Sequence, residues 1–156
     1  MLTNQVLSLA IVLSMTGCAE QMNRPRSKEA FVKEYTTAFD RGDTERVLSL
    51  VDWNGVPKPL RELYERLLTL HAGKHKVSDA RLVKYKPDPK INDTYRGRKV
   101  ITNSKPSYWF EVTTKGNLGF EGGSSENTLK FPVGEADGKF FFCGAIWADD
   151  DGSTGK

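Results

Sequence analysis

His71 and His75 stand four positions apart, the spacing at which two imidazoles on one helix face can share a metal ion. Gly73 lies between them and is expected to end the helix, and neither a cysteine nor a second histidine pair is at hand to complete a zinc site. They read as two surface histidines at a helix–strand junction, with no metal. Asp149, Asp150 and Asp151, followed by Gly152 and Ser153, have the opening of a calcium loop, but the later glutamate is missing. That run reads as a solubilising tail. Tyr95, Arg96, Arg98 and Lys99 could hold an anion, and read instead as the charged rim of a loop. Cys143 closes the run Phe140-Phe141-Phe142-Cys143-Gly144, where nothing near it in sequence would lower its pKa. It reads as a small buried hydrophobe rather than a nucleophile. Gly-rich phosphate loops, Ser-His-Asp sets and internal repeats are absent, and no cofactor is implied.

The other cysteine has a more specific setting. The chain has 156 residues, 38% hydrophobic and 28% charged, with a net charge of +3. That balance suits one globular domain and excludes collagen, long coiled coil and wholesale disorder. The small basic excess, without a basic stripe, argues against nucleic-acid binding. All charged residues lie after Gly17, and Val6 to Leu13 is apolar except for Ser8. That run is too short to span a membrane, which takes about 20 residues, and fits the apolar region of a signal peptide. It ends in Met15-Thr16-Gly17-Cys18, which resembles the lipobox of bacterial lipoprotein signal peptides. The resemblance implies lipid attachment to the Cys18 thiol and cleavage after Gly17, giving a leader over 1–17. The protein would then meet its membrane partner through acyl chains on Cys18. It would sit on the periplasmic face of the bacterial cell envelope. Ala19 is not the aspartate that retains enterobacterial lipoproteins at the inner membrane, so the outer membrane is favoured.

These residues need elements to position them. The polar, proline-containing stretch to Arg26 reads as a tether, so 18–26 is lipidated cysteine plus linker, with 19–26 reaching about 28 Å at most. Arg24, Arg26 and Lys28 could lie against anionic head groups. Ser27 is a good helix N-cap, and Phe31, Tyr35, Ala38 and Phe39 form one helical face that Gly42 should end. Asp43 caps a shorter helix carrying Val47, Leu48, Leu50 and Val51, and Trp53-Asn54-Gly55 turns the chain. A third helix starts near Pro59 and presents Leu60, Leu63, Tyr64, Leu67 and Leu68. The period then changes. A bulged strand is predicted over 77–85, a long loop over 86–98, and a short strand over 99–102. Alternating strands carry Tyr108, Phe110 and Val112, then Leu129, Phe131 and Val133. Asp137-Gly138 turns into Lys139 to Ala148, apolar on both faces as in a central strand. The domain should occupy 27–148, with an acidic flexible tail over 149–156. Helices followed by an antiparallel meander predict an α+β fold, three N-terminal helices packed on a curved, mostly antiparallel sheet.

The series Phe31, Tyr35, Phe39, Gly42-Asp43, Leu48 and Leu50, together with the closing Lys130-Phe131-Pro132-Val133 and Asp137 to Phe142, resembles nuclear transport factor two-like domains. These are cystatin-like cones that also house ketosteroid isomerase. The resemblance implies an apolar pocket at the open end of the cone, for which Phe39, Trp53, Tyr64, Phe110 and Phe142 are the candidate lining residues. A small apolar ligand or an envelope protein would be its partner. Isomerases of the family use an aspartate base and a tyrosine in the oxyanion hole, which maps onto Asp52 and Tyr35. The second oxyanion acid has no counterpart, since Phe110, Phe142 and Ile146 stand on the late strands. The expectation is therefore a non-catalytic binding or assembly domain. The alternative is a ketosteroid-isomerase-like enzyme using Asp52 and Tyr35.

Overall fold

The computed structural model describes residues 23–90, 93–117 and 123–150. Helix α1 spans Lys28–Arg41, and its first turn is closed by the Ser27 hydroxyl oxygen, which accepts from the Ala30 amide at 3.0 Å. Its last turn ends at Gly42, whose φ of +74° is the left-handed conformation that lets the Gly42 and Asp43 amides reach the Phe39 and Ala38 carbonyls. Asp43 then accepts from the Arg46 amide and caps α2, Thr44–Ser49. After a two-residue strand β1 (Val51–Asp52) comes α3, Lys58–Thr69, with a proline in its first turn.

Strands β2 (Lys76–Lys84), β5 (Tyr108–Asn117), β6 (Ser124–Ala136) and β7 (Lys139–Cys143) make an antiparallel run in the order β7-β6-β5-β2. The β2 register slips between Val77 and Asp79, as the sequence phase predicts. Strand β1 adds to the free edge of β7 in parallel, Val51 opposite Phe142 and Asp52 opposite Cys143. A second sheet joins β3 (Thr94–Tyr95), β4 (Arg98–Thr102) and β8 (Ala145–Trp147). The chain is thus α+β, a few helices on a mixed, mostly antiparallel sheet.

Alternation along β5 turns Tyr108, Phe110 and Val112 towards α1, and Trp109 and Glu111 to the opposite face. Phe110 and Phe142 meet Phe31 and Tyr35 of α1 edge-on, with centroids 4.8–5.8 Å apart. These four rings are fully or almost fully buried and form the centre of the core. Such edge-to-face contacts add to the burial of large apolar area that holds the helices on the sheet.

Three local features differ from the sequence reading. The expected single strand over 139–148 is broken at Gly144 into β7 and β8, which belong to different sheets. A Cβ at Gly144 would stand 2.3 Å from the Asp52 carbonyl oxygen and 2.5 Å from a Val56 methyl, so the backbone passes here only because there is no side chain. Second, within the linker expected as far as Arg26, Arg24 and Pro25 are packed against the fold. Pro25 is buried and its carbonyl accepts from the Phe140 amide at 2.9 Å, extending the β7 edge that Leu50 meets at Phe142. The Arg24 guanidinium lies 4.6 Å over the Phe141 ring. Third, Ala148–Asp150 forms a 3-10 turn, and the Asp149 carboxylate accepts from Arg98 Nη2 on both oxygens at 2.8 Å. Among the described residues no helix is long and apolar enough to cross a membrane.

Candidate functional site

Tyr35 is drawn inward by the stripe that places it beside Phe31 and Phe39 on α1. Its hydroxyl donates to the Leu68 carbonyl at 3.2 Å, and burial pushes its pKa far above the usual phenol value. The C-terminal turn of α3 covers this hydroxyl, so it does not open towards a substrate as an oxyanion-hole tyrosine would. Asp52 ends β1. Its carboxylate accepts from the Asn54 amide at 3.3 Å and lies 3.8 Å from Arg24 Nη2, while its carbonyl accepts from Asn103 Nδ2 at 2.9 Å. Each candidate group is thus engaged by its own structural partners.

Of the five residues named for a pocket, Phe39, Phe110 and Phe142 are core residues that fill the space between α1 and the sheet. Trp53 is half-buried, its indole N–H donating to the Leu48 carbonyl at 3.1 Å and its ring meeting Tyr64. Tyr64 lines a groove of about 470 Å³ between the two sheets, on the face turned away from α1. Trp109 and Pro132 are cross-strand neighbours and form the floor with Cys143, and Val100 and Ala145 stand opposite. The Trp109 indole N–H is tied to the Lys86 carbonyl at 2.8 Å, which fixes the ring, and the Tyr85 ring lies 4.8 Å from it. At the rim, Lys99 is 3.8 Å from Asp93, and Lys130 is 3.0 Å from Glu111 and 3.9 Å from Asp88. Donation from Lys130, and then from Arg81, holds the Glu111 carboxyl below its usual range.

Two groups deep in the groove are polar. Cys143 is fully buried, and burial pushes its thiol up to about 11, so it stays protonated at neutral pH and is no nucleophile. The Tyr64 hydroxyl is shielded from solvent and has no hydrogen-bond partner among the described residues. Burial, and then nearby Cys143, hold its pKa well above the ordinary value. The groove eluded sequence reasoning because its residues come from segments scattered between Tyr64 and Ala145. The one available signal was Trp109, a large aromatic on the polar phase of an alternating strand.

The histidine pair lies at a helix–strand junction, as expected, but His75 is buried rather than on the surface. Its ring stacks on His71 at 4.2 Å and 9°, and its Nε2 is 3.4 Å from the Ser125 hydroxyl. Gly116 makes room for it, since a Cβ there would fall 2.1 Å from the imidazole. Parallel stacked rings do not converge on one ion. Among the described residues no three His, Cys, Asp or Glu side chains are grouped to hold a metal. In the basic cluster, Arg98 covers Trp147 at 4.2 Å while bound to Asp149, and Arg96 lies 5.2 Å over Tyr95. This arrangement is a paired rim. Cys18 and the leader, and the run from Asp151 onward, lie outside the described residues.

No family model, curated protein or solved structure matches the chain.

Proposed function

We propose that this chain is a lipid-anchored lipoprotein of the bacterial cell envelope, held through acyl chains on Cys18. Its α+β domain is read as a nuclear transport factor two-like cone that binds or assembles without catalysis. The observation that carries the non-catalytic reading is the separate engagement of Tyr35 and Asp52, one bonded to the Leu68 carbonyl inside the core and the other to Arg24 and Asn54. An isomerase needs both groups free and directed at one substrate carbon skeleton. The Gly42-Asp43 junction, the helix-then-meander order and the aromatic β7 support the cone reading. The aromatic core fills the region between helix and sheet, so binding falls to the groove on the other face. Support for the anchor comes from the Met15-Thr16-Gly17-Cys18 run behind an uncharged apolar leader.

The anchor is tested by expressing wild type and Cys18→Ala in a bacterium fed radiolabelled palmitate. Wild type should incorporate label and pellet with membranes, outer rather than inner, and the variant should do neither. Unchanged membrane retention of an unlabelled Cys18→Ala chain would overturn it. Native mass spectrometry of the protein from its own host then reads whether a small molecule or an envelope protein travels with it.

A further inference from the structure

We propose that one end of the domain, formed by Arg26, Lys28 and the β6–β7 turn, is a docking surface for an anionic phospholipid bilayer, with the β5–β6 hairpin end directed away from it. This rests on the Cys18 anchor above and adds which surface of the domain the bilayer covers.

The length of the leash decides the orientation. Among the described residues Arg24 is the first that is packed against the fold, stacked on Phe141 and 3.8 Å from Asp52. Six residues of chain separate it from Cys18, a reach of about 21 Å at ~3.5 Å each. The neighbouring Pro25 carbonyl accepts from the Phe140 amide, and Phe140 lies opposite Glu135 in register. Glu135 therefore marks the level at which the chain leaves the domain. Ser124, at the other end of β6, is eleven residues away, about 36 Å at ~3.3 Å each. With the hairpin end on the bilayer, Arg24 would stand further from it than the leash extends. With the Arg24 end on the bilayer, the leash is slack.

The chemistry of that end suits phosphate. Ser27 caps α1, which leaves Arg26 just outside the helix and Lys28 in its first turn, both exposed. Lys28 Nζ lies 4.4 Å over the Tyr108 ring, and Arg26 has no ion pair among the described residues. Lys84 pairs with Tyr108 in register, and Lys139 opens β7 beside the turn. The acids set against these four cations are Glu29, Glu135 and Asp137, and Glu135 already accepts from the Tyr108 hydroxyl at 3.4 Å. The balance is positive, and Arg26 and Lys28 are the two that flank the tethered segment. Lipid phosphates brought close by the acyl chains would meet them first.

The lipidated full-length chain is placed in vesicles of phosphatidylethanolamine and phosphatidylglycerol that also carry a nitroxide-headgroup lipid. Cys143 is fully buried, so a cysteine introduced by Glu29→Cys or Ser124→Cys is the thiol that takes a fluorophore. The position 29 label should be quenched at least about threefold more than the position 124 label, because the nitroxide acts only at short range. Arg26→Gln with Lys28→Gln should remove most of the quenching at position 29, since each cation near an anionic surface favours contact about fivefold. Vesicles without phosphatidylglycerol should reproduce that loss with the unmodified cations. Equal quenching at the two positions, or stronger quenching at 124, would overturn the orientation. Full quenching at 29 in the double variant and in the neutral vesicles would overturn the phospholipid contact. A chain without palmitate that fails to pellet would fail at the anchor itself, whereas a palmitoylated, pelleting chain with equal quenching fails only in its docking surface.

Discussion

His75 shows what a single buried imidazole does to the stability of this chain. Burial, and then the His71 ring against it, hold its pKa below the ordinary value. On acidification the unfolded chain takes up a proton at His75 near pH 6.5, while the folded chain resists doing so. Its contribution to stability is therefore complete above about pH 6.5 and is lost as the pH falls through the lower, folded pKa. Of the cations nearby in the fold, Lys115 of β5 is paired with Glu126 at 3.0 Å and Lys76 donates to the Asp40 carbonyl, so burial and His71 remain the causes. Urea unfolding should show a lower midpoint at pH 5 than at pH 7.5, and His75→Gln should flatten that difference. An identical pH dependence in the variant would remove His75 as its origin. The burial was not legible in the sequence, because the four-residue spacing suggests a shared helix face. Helix α3 instead ends at Thr69, His71 itself takes a positive φ, and the β5–β6 hairpin closes over the second ring.

Elements carry the next set of constraints, and the junction of β7 and β8 is the sharpest. Gly144 lies against the Asp52 carbonyl, which cannot retreat because β1 is paired to β7 and the same carbonyl holds Asn103. Gly144→Ala should therefore destabilise by at least about 1–3 kcal/mol, the usual penalty for overpacking. Guanidinium denaturation checks this, and a midpoint within error of wild type would mean that the two sheets can part without cost. The helices are legible in the sequence because α1 and α2 have side-chain caps, Ser27 and Asp43, and α1 and α3 carry apolar stripes, Phe31 to Phe39 and Leu60 to Leu68. The strands are legible from alternation. Assignment of strands to sheets is not, since Phe140 to Cys143 and Ala145 to Trp147 are equally apolar and nothing in periodicity marks a change of partner. The groove inherits that gap, because it exists only where the second sheet comes over Trp109 and Pro132.

For the molecule as a whole, the decisive contacts join the segment around Pro25 and Leu50 to strand β7, far along the chain. Pro25 and Leu50 both lend carbonyls to β7, at Phe140 and Phe142. Arg24 pins the first of these, stacked on Phe141 and facing Asp52. Arg24→Ala should lower stability by about 1 kcal/mol, as expected for a cation–π contact and a partly buried ion pair. It should also speed hydrogen exchange at the Phe140 amide while leaving Phe142 protected. Equal protection of both amides in the variant would mean that the segment holds without Arg24. The α-then-β order and the aromatic core were readable from composition and period. The clasp was not, since a polar, proline-bearing stretch looks like linker until a partner strand is known. This clasp also sets an order of assembly. Helix α1 and its aromatic stripe leave the ribosome well before the Phe142 they pack against and the amides that receive Pro25 and Leu50. Closure must wait for β7, so folding is dominated by distant pairings and is expected to be slow. In the meantime Phe31, Tyr35 and Phe39 are uncovered, and a nascent or translocating chain would present them to whatever chaperone attends it.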